Sequence, residues 1–571
     1  MRMSRAAEGP AVLLLVGVMA GLLLAGRGGD GMTNDEIIYI AAGYRHLTAS
    51  DYRLNPNQPP LGKLVIATAL VGRPWRVPPL AHGRDEMEWA YRFVHVENSA
   101  SALLRRARLP IVLVTLLLAL LAWAWARQAA GPGQALLALA LVAVHPSLLA
   151  HGHLATTDVT AAAAMLLASW ACWRWCRRPR VGWSALTGLA LGAAAATRLT
   201  GWLLLACLAV LAVWPAARPA GAPRPNARAR GLLFAMLAVL PPLVVWAAYG
   251  FHYAPWPGES IAHPAASHPG AAAWAIDAAE RLRLLPEAYL EGARYQVQHG
   301  TLGHPAYLMG ERSRTGWRHY FLVAFAVKNT PGFLLVTAAG LGLAWAARRD
   351  PERRAMAWHC GLPAAVVFLA ASAGRIQIGE RYILPIYPYL ALLAATGIGF
   401  VLARPAARLC LAAALAAHAG PALLATPRGH LTYFNAIAGG PARGHRVLLD
   451  SNLDWGQDLP RLARWMKARG VARVQLGYHG ADDPGRFGID HEDLPGLHLY
   501  PPRPPAVPFQ GVVVVSPNLL CGVFPRLRDP YAALRARPPD DRAGALMVYF
   551  IDVMRPPAAA REASIESRAP E

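Results

Sequence analysis

Eleven apolar runs, at about 11–25, 108–126, 134–150, 159–175, 182–197, 200–216, 231–250, 331–347, 357–373, 382–402 and 408–425, dominate the 571-residue chain. A helix needs about 20 apolar residues to cross ~30 Å of hydrocarbon, so the runs predict an α-helical polytopic membrane protein of about 11 spans. Several runs sit at the short end of that range, which leaves the count open by a span or two. Composition agrees: 16% of residues are charged, against ~25% in soluble domains, and the deficit is concentrated in the runs. A formal net charge of +22 would ordinarily point to nucleic acid. Here the basic residues fall in short clusters between apolar runs, so no nucleic acid is expected and the anionic bilayer surface is the counter-charge.

Those clusters set the orientation. With the N-terminus inside, the inside turns hold Arg127, Arg177/Arg178/Arg180, Arg218/Arg224/Arg228/Arg230, Arg348/Arg349/Arg353/Arg354 and Arg404/Arg408. The short outside turns hold only Arg198, Arg375 and Arg381. The chain is therefore expected to run N-in, C-out, its first run serving as a signal anchor and not as a cleaved signal peptide. Residues 1–426 form the membrane domain, with long outside loops at 27–107 and 251–330 whose amphipathic stretches suit helices lying along the interface. Residues 427–556 read as a small extracytoplasmic α/β domain: strands at Arg446–Asp450, Arg473–Leu476, Gly511–Ser516 and Leu546–Val553, and a helix at Gly456–Arg469. The Pro-, Ala- and charge-rich 557–571 reads as a disordered tail. The six cysteines show no metal-ligand spacing and predict no disulfide; Cys172 and Cys176 share an apolar helix face and read as packing.

The chemistry-bearing residues collect at the outer ends of the runs. The first loop opens with Asp35-Glu36, then an apolar helical pattern. On its own the pair reads as a cap, Asn34 or Asp35 being the N-cap and Glu36 a first-turn acid; a partly desolvated carboxylate there also suits a general base. Further on, Pro59-Pro60 fixes the entry to a helix with Lys63 on its first turn. A cation opposing the helix dipole there fits an anionic ligand. Asp158 opens the span after the His145–Thr157 turn; a helix cap is the plain reading and a functional acid the sharper one. His151 and His153, two apart, do not share a helix face and make a poor metal pair. Lys328 and Arg381 sit at outer span ends against the positive-inside tendency. Either they pair with Glu311 or Glu380, or they clamp a lipid phosphate.

Asp35-Glu36 after the first run, PPLGK at 59–63, TTD at 156–158 and GERYILPIYP at 379–388 together resemble the GT-C polyprenyl-phosphate-dependent glycosyltransferases, in particular the protein O-mannosyltransferase and aminoarabinose-transferase group. GHPAYLMGE (303–311) and SNLDWGQDL (451–459) are similar to segments of bacterial members, and the resemblance covers most of residues 10–460. It implies transfer of a monosaccharide from a polyprenyl-phosphate carrier to an acceptor hydroxyl or amine of a protein, lipid or glycan, with inversion, on the extracytoplasmic face of the bacterial inner membrane. Asp35 matches the base, supported by Glu36; Asp158 would place the acceptor or a metal. Lys63, Arg381, Arg198 and Lys328 would bind the donor phosphate. Where the aminoarabinose transferases carry a metal-binding acid before the Pro-Pro pair, this chain has Asn57-Gln58, so the metal stays unknown and the only cofactor considered is a loosely held divalent cation. The alternative is a transporter or flippase for a lipid-linked or polar solute. That class places charges at mid-span and shows inverted repeats, whereas here the charges sit at span ends and no repeat is evident.

Overall fold

The computed structural model describes residues 5–79, 86–255, 271–399, 404–425, 429–498, 508–523 and 529–554. Among these, five helices are long and apolar enough to cross a membrane: Glu8–Gly29, Ala100–Ala130, Ala227–Ala248, Pro351–Ala373 and Pro405–Ala425. A sixth results if Tyr320–Lys328 and Pro331–Ala346, which meet at 115°, form one broken span. These helices leave large apolar side chains exposed, among them Leu14, Leu117, Val239, Leu335, Leu369 and Leu424. So much open apolar surface is at home in lipid and not in water, and the chain is a multi-pass membrane protein.

The remaining apolar runs lie on shorter or less apolar helices, so length and composition alone do not return the expected eleven. The reason is local. In the 134–150 run, His145-Pro146 ends Pro132–Ala143 and restarts the chain as the short helix Pro146–His151, because the proline cannot continue the ladder. In the 382–402 run, Glu380–Ile383 forms a 3-10 turn before the helix Ile386–Ile398. Thirteen helical residues reach only ~20 Å. The first-loop helix Asn34–Ala49 is largely buried rather than lying on the surface, with Glu36, Ile37, Ile38, Tyr39 and Ile40 all enclosed.

The C-terminal part holds a five-stranded mixed sheet in the order Asp490–Asp493, Arg473–Gly477, Phe509–Val515, Leu546–Met554, Asp541–Ala543. Arg473–Gly477 pairs parallel with both neighbours, and Leu546–Met554 antiparallel with both of its own. The helix Leu459–Arg469 packs Leu459, Leu462 and Met466 on one face; it starts later than Gly456, whose φ of 94° belongs to the turn before it. Arg446–Asp450 is not a strand. It lies between two 3-10 turns, Gly444–Arg446 and Asp450–Asn452, with one isolated bridge from Leu448 to Leu308. Its apolar character is spent on burying Leu448 and Leu449 in the core of the helical part, and Asp450, at φ 57°, bends the chain out of the extended region. The predicted tail at 557–571 lies outside the described residues.

Candidate active site

Everything at the site follows from how the start of helix Asn34–Ala49 is anchored. Its N-cap is Thr33, and not Asn34 or Asp35. Glu36, three residues on, reaches back to accept from the Thr33 backbone N–H at 2.9 Å and from its hydroxyl at 3.1 Å. The same carboxylate accepts from the Ala155 N–H at 2.7 Å, and from Arg108 Nε and Nη2 at 2.7 Å each. Arg108 also donates to the carbonyls of Arg27, Asp30 and Gly31 at 3.1, 2.8 and 2.6 Å. Both side chains are fully buried. Burial would push Glu36 up, but the Arg108 charge and its hydrogen bonds outweigh that and hold the carboxyl below its usual value. Glu36 therefore does not touch Asp35; it fixes the helix that presents Asp35.

Asp35, one residue earlier, faces the other way. Its carboxylate accepts from Arg381 at 2.7 Å and from the Tyr39 hydroxyl at 3.3 Å. Its side chain keeps 28% of its surface open while Arg381 keeps 7%, so in this pair the acid is the accessible partner. The Arg381 guanidinium lies 4.2 Å from the centre of the Trp455 ring and 5.7 Å from that of Tyr382. On the same Tyr382 ring, at 5.4 Å, sits Arg198, which is ion-paired with Asp158. Two acid–arginine pairs are thus held side by side across one tyrosine. Their polar capacity is not exhausted: Asp158 Oδ2, Arg381 Nε and the nearby His151 Nδ1 are buried without a hydrogen-bond partner among the described residues.

The other two predicted cations donate to backbone carbonyls, Lys63 at a distance from Asp35 and Lys328 close to His151 and Glu380. Lys63 donates from a buried ammonium to the Asn55 carbonyl at 2.6 Å and to its side-chain oxygen at 3.4 Å. Its neighbours are His46 and Glu86, and His46 lies near the far end of the helix that begins beside Asp35, ~16 Å along its axis. Burial pushes this ammonium down to about 7. Lys328 donates to the carbonyls of Leu431, Tyr433 and Asn452 at 2.8, 2.8 and 2.7 Å. An ammonium has three N–H donors, so all of them are used. Glu380, adjacent to Arg381, accepts from Ser147 and Tyr387 and has Lys328 as its charged neighbour, the plainer of the two expected roles for that lysine.

Two residues that the sequence reading did not single out complete the arrangement. Arg108, a charge within an apolar run, carries the signal of a functional or anchoring ionisable group. Trp455 lies in the SNLDWGQDL segment, whose backbone carbonyls at Trp455 and Gln457 accept from Asn34 at 3.0 Å and Gly31 at 2.8 Å. The segment thus straps the first loop to the C-terminal part, while Arg461 donates to Asp30 at 2.6 Å. Three carboxyls packed in or beside this strap are raised by burial, Asp450 and Asp454 to about 7 and Asp482 to about 6. Among the described residues, no three His, Cys, Asp or Glu side chains are grouped to hold a metal ion.

Residues 100–246 match the family model described as dolichyl-phosphate-mannose-protein mannosyltransferase. None of the curated proteins matches the chain. Among solved structures it is similar to ArnT from Cupriavidus metallidurans in the apo state, at 16% identity over 95% of this chain and 98% of that one, with a TM-score of 0.48. The same protein bound to undecaprenyl phosphate gives 16% identity, 94% and 97% coverage and a TM-score of 0.45. The apo oligosaccharyltransferase of Archaeoglobus fulgidus gives 14% identity, 74% and 56% coverage and a TM-score of 0.46.

Proposed function

Taking the family match over residues 100–246 as premise, we propose that this membrane protein is a GT-C glycosyltransferase that moves a monosaccharide from a polyprenyl-phosphate carrier to an acceptor hydroxyl or amine, with inversion, on the extracytoplasmic side. The observation that carries the reading is the pairing of an accessible Asp35 with Arg381 at 2.7 Å, next to the buried Asp158–Arg198 pair. Resting in this form, Arg381 and Arg198 are neutralised by the two acids. A sugar phosphodiester brings its own negative charge, so it competes with Asp35 for Arg381 and frees the carboxylate to accept a proton. The acceptor oxygen or nitrogen then attacks the anomeric carbon as its proton passes to Asp35. The bond from that carbon to the phosphate oxygen breaks with its electron pair, and the carrier phosphate leaves with one more negative charge. Arg381 and Arg198 are the donors placed to stabilise that growing charge. Trp455 holds the Arg381 plane from one side, and Asp158 orients Arg198 and offers its free oxygen to the acceptor.

Glu36, Lys63 and Lys328 take structural parts in this scheme: the first anchors the Asp35 helix, and the two lysines hold backbone carbonyls. Membranes carrying the protein, incubated with a panel of radiolabelled polyprenyl-phosphate sugars, test the reading. One donor should lose its label to an acceptor in the presence of the wild type and none in the presence of Asp35→Asn. If the variant matches the wild type, or no donor is consumed, the proposed function is wrong.

A further inference from the structure

Away from the Asp35 site, a cavity of about 460 Å³ opens between Thr432–Leu453, the helix Leu459–Arg469 and the strand Asp541–Ala543. Its lining includes three arginines, Arg461, Arg464 and Arg542, with Trp465, and among the described residues no carboxylate. Arg461 is neutralised by two buried carboxylates, donating to Asp458 and Asp30 at 2.5 and 2.6 Å, while its Nε is buried without a partner among the described residues. Arg464 and Arg542 make no ion pair among the described residues. Arg542 is half-buried, with Tyr549 and another arginine, Arg446, as neighbours, and its backbone N–H donates to Asp541 at 2.8 Å. Arg464 and Arg542 thus leave two positive charges on one hollow with no paired acid among the described residues, a field that an anion in the space would offset.

We propose that this cavity is a binding site for a phosphate-bearing ligand, separate from the Asp35 site. Guanidinium forks match phosphate oxygens in pairs, and a phosphomonoester carries up to two negative charges where a carboxylate brings one, the better balance for this lining. The volume lies in the range of small-molecule sites, ~300–1,000 Å³, and exceeds what a bare phosphate fills. Leu453, Pro441, Ala543 and Trp465 supply an apolar wall for an attached organic body. That chemistry is shared by a lipid headgroup and a soluble phosphomonoester, and the experiment distinguishes the two sources.

The full-length protein, purified without phosphate buffer, supports two arms. Radiolabelled glycerol 3-phosphate measured by equilibrium dialysis reads the soluble source, and native mass spectrometry of nanodiscs containing phosphatidic acid reads retention of the headgroup. Saturable binding is expected in one arm. Arg464→Gln and Arg542→Gln should each weaken it by about tenfold, the loss of one charge-assisted hydrogen bond, while the exposed Arg473→Gln should not. Arg464 is itself exposed, so its substitution tests the site without disturbing the core. Because the Asp35 site also holds arginines, Arg381→Ala is measured in parallel and should leave this binding intact. No binding in either arm overturns the proposal. So does binding that falls in Arg381→Ala and persists in Arg464→Gln, which would assign the phosphate to the Asp35 site.

Discussion

Replacing Glu36 with Gln changes one oxygen to an NH₂ group and nothing in shape, yet either rotamer of the amide meets trouble. If the nitrogen takes the Oε2 position, it faces Arg108 Nη2 and the Thr33 N–H and hydroxyl, which now lie at 2.7, 2.9 and 3.1 Å. If it takes the Oε1 position, it faces Arg108 Nε and the Ala155 N–H, both at 2.7 Å. Donor then opposes donor, and a fully buried guanidinium has lost its counter-ion. Removing one partner of such a pair costs about 3–5 kcal/mol, which in a chain of this size lowers the unfolding midpoint by something on the order of 5 °C. Fluorescence-monitored unfolding of the purified protein in detergent measures it. The pH dependence carries a second signature. Glu36 is held below its unfolded value, ~4.3, so its contribution is present above that pH and is lost as pH falls through the folded value. Wild type should therefore lose its advantage over Glu36→Gln on acidification below about 4.3. The double variant Glu36→Gln/Arg108→Met, which removes both partners, should recover part of the loss. An unchanged midpoint in Glu36→Gln, or a double variant worse than the sum of the singles, would refute the idea that this pair anchors the helix.

Lys328→Met deprives three buried carbonyls of their donor, each loss costing ~1–3 kcal/mol. It should lower yield and unfolding midpoint while the surviving protein keeps the donor KM of the wild type; a raised KM with normal stability would return Lys328 to the phosphate site. Trp455→Leu removes the ring under Arg381 at 4.2 Å, a contact worth ~1–2 kcal/mol, and should reduce kcat/KM for sugar transfer by about tenfold with little effect on folding. Asp454, pushed up to about 7 by burial, is neutral in the folded state below that pH and charged when unfolded, so its stabilising effect fades as pH rises from ~4 to 7. Asp454→Asn mimics the neutral form and should be more stable than wild type at pH 8, and no more stable at pH 4, by the same unfolding assay.

The multi-pass helical character was plain from the apolar runs, because exclusion of charge over a long stretch is a property of the segment itself. What the runs hid was where they break. His145-Pro146 and the Glu380–Ile383 turn interrupt two of them, and backbone geometry at a proline is decided locally while hydropathy averages over it. Arg446–Asp450 looked like a strand for the opposite reason: its apolar residues are buried against the helices, and burial does not specify which partner buries. At the site, the sequence brought out Asp35, Asp158, Arg198 and Arg381, all at the ends of runs, and the structure gathers these four. It could not tell them from Lys63 and Lys328, since a buried lysine on carbonyl oxygens and a lysine on a phosphate occupy the same kind of position in a sequence. Adjacency did not show how Glu36 supports Asp35: neighbours on a helix are ~100° apart, so the two acids point to different partners and the support runs through the anchored helix.

Asp35 as the proton acceptor, with Arg381 as its resting partner and the phosphate's donor in the transfer, is tested most directly by separating donor binding from transfer. Asp35→Asn and Arg381→Ala are compared with wild type for retention of a radiolabelled polyprenyl-phosphate sugar and for release of the label to acceptor. The account predicts that Asp35→Asn retains the donor at least as well as wild type and transfers nothing, whereas Arg381→Ala loses retention. Transfer by Asp35→Asn at the wild-type rate, or full retention by Arg381→Ala, would contradict it.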